Sequence, residues 1–140
     1  MIVMRFLDTN ILLYSISRME NESRKRRIAI EMLDRDDSVL SVQVLQEFYV
    51  QATRSTRIDA LSHEIASGLI RTWLRFHIQE NSVAVLQGAL EIKARHGFSY
   101  WDSAIIAAAR ASGCRELYSE DLSHGREVEG ITLLNPFRES

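Results

Sequence analysis

Short apolar segments alternate along the chain with longer segments in which apolar side chains recur every three or four residues. The short segments predict strands because they are too brief for stable helices; they cover residues 2–7, 38–42, 82–86, 115–119 and 131–134. The longer segments predict helices with one apolar face, at residues 10–17, 23–33, 44–54, 62–74, 87–96 and 99–112. Strands that alternate with helices are typical of an α/β fold with a central parallel sheet.

The helix predicted at residues 99–112 has an unusually small-residue face. Trp101 lies on the same stripe as Ala104 and Ala108, so the spacing predicts Trp101 in the core. Gly113 follows the helix and favours its termination. Cys114 comes next, immediately before a predicted strand, and we expect it to be buried and unreactive.

Composition places the chain among single globular domains. Its 140 residues are 46% hydrophobic and 26% charged, which excludes a disordered chain and suits one domain spanning residues 1–140. The formal charge is −2, so broad electrostatic binding to nucleic acid is not expected. The amino terminus lacks the pattern of a signal peptide, and we find no membrane-length apolar run. We therefore expect a cytoplasmic protein without membrane contact.

Four acidic residues are predicted at one edge of the sheet. In a parallel α/β sheet the carboxyl ends of strands and the amino ends of helices share an edge, where ligands bind. Asp8 and Asp121 each follow a predicted strand, and Glu47 lies in the first half of a helix. Asp102 lies in the first turn of another. We call Asp8, Glu47, Asp102 and Asp121 the acidic cluster.

A cation would explain why carboxylates gather at this edge. Two carboxylates about 4 Å apart repel by roughly 4 kcal/mol at an effective dielectric constant of 20. Mg²⁺ and Mn²⁺ prefer carboxylate and water oxygens and remove that conflict. A cation held in this way can bind a phosphodiester and activate a water molecule.

Each member of the acidic cluster also has a purely structural interpretation. Asp8 could be a turn or helix-capping residue, and Asp102, three residues after Ser99, could belong to a capping box. Glu47 could be a solvated helix residue and Asp121 a loop acid. Only their predicted convergence indicates a site.

Five segments of the chain form an ordered set of motifs. They are residues 8–14 (DTNILLY), 41–49 (SVQVLQEFY), 100–109 (YWDSAIIAAA), 117–125 (LYSEDLSHG) and 135–137 (NPF). Together they resemble the motifs of the PIN-domain nucleases, and within that family the VapC-type toxins of bacterial toxin–antitoxin pairs. The resemblance implies a parallel five-stranded sheet in the order 3-2-1-4-5, flanked by helices. It also implies Mg²⁺- or Mn²⁺-dependent cleavage of RNA, an antitoxin partner and a homodimer.

The resemblance assigns roles residue by residue. The acidic cluster matches the family's catalytic quartet, with Asp8, Asp102 and Asp121 as metal ligands. Asn10 and Ser119 match supporting positions. Many relatives carry a further acid shortly after the position of Asp121, where this chain has Ser123 and His124. The resemblance therefore does not decide whether the site holds one metal ion or two.

Basic residues outside the motifs are candidates for RNA contact. Residues 24–27 form the main basic run, and Lys93 with Arg95 forms a smaller group. Such runs are often solvated surface, but beside an acidic site they would bind phosphates. The candidates are Arg24, Lys25, Arg26, Arg27, Lys93 and Arg95.

Two other functions fit parts of the pattern. Asp8, at the end of a strand, could be the nucleophile of a phosphatase or phosphotransferase. Against this, Asn10 stands where a second acid is usual. Alternatively, the fold could serve as a non-catalytic module that binds RNA or protein.

For the homodimer, the sequence predicts contacts from apolar residues outside the assigned core stripes, such as Ile11, Leu12 and Tyr14.

Overall fold

A computed structural model of the chain describes residues 4–139. Within that range it has six α-helices and six strands. The strands are β1 (Arg5–Leu7), β2 (Ser38–Ser41), β3 (His77–Gln79), β4 (Glu116–Tyr118), β5 (Glu127–Val128) and β6 (Ile131–Leu134). The helices are α1 (Thr9–Ser15), α2 (Ser23–Leu33), α3 (Val42–Ala52), α4 (His63–Trp73), α5 (Val83–His96) and α6 (Tyr100–Ala111).

The strands form one sheet in the order β3-β2-β1-β4-β6-β5. The first five pair in parallel, which confirms the predicted order, with β6 as the fifth strand of the prediction. Residues 2 and 3 of the first predicted strand lie outside the described residues. Parallel pairing brings the carboxyl ends of β1, β2 and β4 to the same edge of the sheet.

Strand β5 has no counterpart among the five predicted strands. β5 pairs antiparallel with β6 through a two-residue turn at Glu129 and Gly130. Both turn residues have positive φ, 52° and 82°, as in the tight turns that match the twist of a hairpin. Asn-Gly or Asp-Gly is the usual sequence for this turn, so the Glu-Gly sequence here does not indicate a hairpin.

The prediction of a strand at residues 82–86 is wrong. These residues begin α5, where the Ser82 hydroxyl accepts a hydrogen bond from the Val85 amide at 3.1 Å. The third strand is β3 instead, a short edge strand with only one apolar side chain. The apolar residues near position 83 therefore belong to the first turn of a helix, in which Val85 is buried and Val83 is exposed.

The core lies between the sheet and the helices. Phe6, Leu40 and Leu117 contribute fully buried side chains from the three central strands. Helix α6 contacts strands on either side of the central strand β1, and α5 packs closely on α6, with Gly88 facing Ala107. Cys114 is buried, as predicted.

Two predictions about surface and core are wrong. Ile11 and Leu12 are fully buried in the core, so they do not supply a dimer contact. Trp101 is 64% exposed, although it lies on the apolar stripe of α6. It stands in the first turn of the helix. Among the described helices, none combines the length and the apolar character that a membrane crossing requires.

Candidate active site

All four members of the acidic cluster line one cavity of about 120 Å³ at the carboxyl edge of the sheet. Asp8 directly follows β1 and caps α1, and Asp121 lies three residues beyond β4. Glu47 projects from α3, which follows β2, and Asp102 from the first turn of α6. Asn10 lines the same cavity. The fold thus brings together residues that are up to 113 positions apart in the sequence.

Asp8 is the most enclosed carboxylate of the cavity. One of its oxygens accepts a hydrogen bond from the Thr9 amide at 2.7 Å, and the other accepts from the Ser119 hydroxyl at 2.8 Å. Burial, together with the charges of Glu47 and Asp121, raises the pKa of Asp8 to about 6, against the lowering effect of these two hydrogen bonds. The ionised form of Asp8 is therefore destabilised where it stands.

Ser119 and Asn10 hold the β4 side of the cavity. The Ser119 hydroxyl, which donates to Asp8, accepts from the Asn10 side-chain amide and from the Asp121 backbone amide, each at 3.2 Å. The Asn10 amide also donates to the Asp121 carboxylate at 3.3 Å, and its oxygen accepts from the Glu120 amide at 3.3 Å. Two carboxylates of the cluster are thus connected by one hydrogen-bond network.

Gln43 holds the opposite side of the cavity. Its side-chain amide donates to the Glu47 carboxylate at 2.9 Å and lies 3.4 Å from the Trp101 carbonyl oxygen. Burial raises the pKa of Glu47 despite the bond from Gln43, and the charge of Asp102 adds to the increase. Sequence reasoning missed Gln43, although a glutamine four residues before Glu47 on a helix is a recognisable pairing signal.

The capping interpretation of Asp102 can be compared directly with the geometry. The Ser99 hydroxyl accepts a hydrogen bond from the Asp102 backbone amide at 3.1 Å, so Ser99 caps α6. A capping box also needs a bond from the Ser99 amide to the Asp102 carboxylate. The hydrogen bonds found within residues 4–139 do not include that bond. The Asp102 carboxylate lines the cavity instead.

The cavity has the donor chemistry of a site for a hard divalent cation. Its oxygens come from four carboxylates, and burial opposes the ionisation of Asp8 and Glu47. The Thr9 hydroxyl in the cavity wall is buried without a hydrogen-bond partner. Across residues 4–139, no three acidic, histidine or cysteine side chains are grouped closely enough to surround one ion directly. Mg²⁺ is usually bound through one or two carboxylates and keeps several water molecules, which suits these residues.

The candidate RNA-contact residues divide by their contacts. Arg24 donates to the Phe137 carbonyl oxygen at 2.9 Å, and Arg95 pairs with Glu129 at 2.9 Å. Lys25 pairs with Glu120, next to Asp121, and so lies close to the cavity. The remaining three are exposed at the surface: Arg26, Arg27 and Lys93.

The PIN domain family matches residues 5–126, and the chain belongs to that family. Comparison with curated proteins gives no significant match. Among solved structures, the fold is similar to a toxin–antitoxin complex from Klebsiella pneumoniae, with a TM-score of 0.71, 18% identity and coverage of 96% of this chain and 99% of that one.

Two other structures show the same fold at low sequence identity. One is VapC20 from Mycobacterium tuberculosis, described as a toxin that cleaves the sarcin–ricin loop. Its TM-score is 0.63 at 18% identity, over 81% of this chain and 86% of that one. The other is VapBC2 from Rickettsia felis bound to a DNA fragment from its promoter. Its TM-score is 0.66 at 17% identity, over 95% and 98% of the two chains.

Proposed function

We propose that this PIN domain protein is a metal-dependent endoribonuclease that acts as the toxin of a toxin–antitoxin pair. The observation that carries the proposal is the convergence of the acidic cluster on one cavity, in which the charge on Asp8 is opposed by burial and by its neighbours. The toxin character of the structural relatives supports it.

The proposed roles follow from the contacts. Asp8, Asp102 and Asp121 would hold Mg²⁺ or Mn²⁺, directly or through water, and Glu47 completes the catalytic quartet. When bound, the cation supplies charge neutralisation and a water molecule of lowered pKa. Ser119 and Asn10 keep Asp8 and Asp121 in place, and Gln43 orients Glu47. The expected products carry 5′-phosphate and 3′-hydroxyl ends.

The direct test is incubation of the purified protein with total RNA in Mn²⁺, in Mg²⁺ and in EDTA, followed by mapping of the RNA ends. Cleavage in either metal and none in EDTA is the expected result. RNA binding without cleavage in any condition would instead favour a non-catalytic module. Labelled phosphate trapped on Asp8 would favour a phosphotransferase.

Ser119 provides a test of positioning. We expect Ser119→Ala to lower the rate of RNA cleavage by about 10- to 100-fold, the usual effect of removing a residue that orients a metal ligand. Ser119→Thr keeps the hydroxyl and should retain most of the activity. Ser67→Ala is the matched control, because the Ser67 hydroxyl bonds only within α4. Equal rates for Ser119→Ala and Ser67→Ala would contradict the role given to Ser119.

We also propose an antitoxin partner that covers the acidic edge. The cavity is anionic, and an inserted Arg or Lys side chain would neutralise it. The product of a neighbouring reading frame should copurify with this chain and suppress cleavage. A product that neither binds nor suppresses cleavage would refute this part of the proposal.

A homodimer is proposed from family resemblance. Since Ile11 and Leu12 are buried, its contact must use other apolar surface. One such surface lies on α3 and just after the end of α4, where Val50 and Leu74 are more than half exposed. Light scattering at high micromolar concentration should show a dimer, and a monomer under those conditions would rule the dimer out.

The RNA substrate would meet basic residues around the acidic cavity. Lys25 is already tied to Glu120 beside Asp121, and Arg26 and Arg27 are exposed on the same helix. Contacts from such residues to phosphates position a nucleic acid without reading its sequence. They therefore support RNA binding but not the choice of cleavage site.

A further inference from the structure

A second cavity, of about 370 Å³, adjoins the acidic cavity. Trp101 lines both of them. The volume of the second cavity lies in the range of about 300–1,000 Å³ that is typical of small-ligand sites. We call this second cavity the amide groove, after the side chains Gln43, Gln46 and Asn81 in its wall.

The lining of the amide groove is uncharged. None of the ten described residues that line it is acidic or basic, so it offers no ionic partner for a phosphate. Its polar groups are chiefly amides, which can both donate and accept hydrogen bonds as base edges do. Asn81 and Gln46 lie side by side, with the Asn81 amide donating to the Gln46 oxygen at 3.3 Å.

Trp101 supplies an exposed aromatic surface at the boundary between the two cavities. Its side chain is 64% exposed. The Tyr100 ring meets the Trp101 indole edge to face, with ring centroids 5.0 Å apart, and thereby limits its movement. A large aromatic side chain in this position exposes apolar area to water, which a stacked base would cover.

A hydrogen-bond bridge couples the groove to the acidic cavity. Gln43, in the groove wall, donates to the Glu47 carboxylate at 2.9 Å and lies 3.4 Å from the Trp101 carbonyl. Asp102 is the next residue after Trp101. A ligand in the groove would therefore be separated from the Glu47 carboxylate by a single side chain, that of Gln43.

We propose that the amide groove binds one unpaired base of the RNA substrate, next to the phosphodiester that is cleaved. Trp101 stacks on the face of the base, and Gln46 and Asn81 contact its edge. The inference takes RNA as the substrate class from the proposed function. In it, Trp101 contributes to the affinity for any base, and Gln46 and Asn81 decide which base is preferred.

Binding can be measured without cleavage, in EDTA, with fluorescently labelled single-stranded nine-nucleotide homopolymers of A, C and U. We expect Trp101→Ala to weaken binding by about 5- to 150-fold, the range for loss of one stacked base. Trp101→Phe keeps a ring and should retain most of the affinity. Gln46→Ala should change the ratio of affinities among the three homopolymers. Ile58→Ala, at another exposed apolar position outside the groove, should change neither.

Tryptophan fluorescence gives an independent readout. The other tryptophan, Trp73, is 5% exposed and packs edge to face on Phe48, so quenching by RNA should come from Trp101. A homopolymer of abasic ribose phosphates should bind more weakly and leave the fluorescence unquenched. Equal quenching by the abasic chain would overturn the proposal, because stacking requires a base.

The outcomes separate this proposal from the proposed function. Wild-type cleavage together with unchanged RNA affinity in Trp101→Ala would overturn the base site and leave the nuclease intact. Trp101-dependent RNA binding without cleavage in Mn²⁺ or Mg²⁺ would support the base site and remove the nuclease. A change from dimer to monomer in Trp101→Ala, at unchanged RNA affinity, would show that the groove is an interface between two copies and overturn the base site.

Discussion

Asp8→Asn should reduce metal-dependent RNA cleavage by more than about 100-fold. Asp8 is the most buried carboxylate of the acidic cluster and lies at the end of the central strand β1. The substitution keeps the size of the side chain but removes the negative charge that a divalent cation requires. Loss of a proposed metal ligand should exceed the roughly 10- to 100-fold effect of losing a residue that only orients a ligand.

The measurement compares single-turnover cleavage rates at saturating Mn²⁺. Asp36→Asn is the matched control, since Asp36 is exposed in the turn before β2, at the opposite end of that strand from the site. It removes the same charge from the protein and should leave the rate unchanged. Parallel losses in the two variants would assign the effect to net charge and would contradict a ligand role for Asp8.

Raising the pH should destabilise the metal-free protein. In the folded state Asp8 has a pKa of about 6, whereas an unperturbed Asp has a pKa of about 3.9. The folded state therefore keeps its proton to a higher pH than the unfolded state. The resulting stabilisation is complete below about pH 4 and is lost as the pH rises through 6. The free energy of unfolding should fall by about 3 kcal/mol over this range.

Denaturant unfolding in EDTA, for wild type and Asp8→Asn, measures the effect. Other groups titrate in the same range, and Glu120, whose pKa is lowered by Lys25 and Tyr14 against the effect of burial, contributes with the opposite sign. The difference between the two proteins cancels such shared contributions. If the difference in free energy of unfolding between the two proteins stays constant from pH 4 to pH 7, then the ionised form of Asp8 is not destabilised in the folded protein.

Addition of Mn²⁺ at pH 7 extends the same experiment. A cation that binds only the folded state at a hundredfold excess over its dissociation constant stabilises by about 2.7 kcal/mol. Wild type should gain that amount and Asp8→Asn distinctly less. Equal gains would place the binding site for Mn²⁺ elsewhere in the protein.

The alternation of strands and helices could be predicted because the helices are long, strongly periodic segments, whereas the order of the strands was implied by the resemblance to the PIN-domain nucleases. Helices such as α4 and α6 have clear apolar faces and serine caps. The edge strands could not be predicted in the same way. β3 contains a single apolar residue, Ile78, and β5 is only two residues long. Their pairing with a neighbouring strand, rather than their own sequence, makes them strands.

The position of the acidic cluster could be predicted because strand ends and helix beginnings share one edge of a parallel sheet. The surroundings of the cluster were less predictable. Periodicity indicates which face of a helix a residue occupies, but not whether the neighbouring element extends far enough to cover it. Trp101 lies on the apolar face of α6 and is nevertheless exposed. The contact of Gln43 with the Trp101 carbonyl depends on how α3 and α6 meet.

The two ends of the sheet limit how this chain can aggregate. A strand at the edge of a sheet exposes unpaired backbone groups, to which another chain can add a strand. In the described part of the chain these edges are β3 and β5, with three and two residues, and β5 is followed at once by a tight turn. Neither edge offers enough backbone for a typical strand of about five residues. Growth of ordered fibrils from the folded protein would therefore require one of these edges to unravel first.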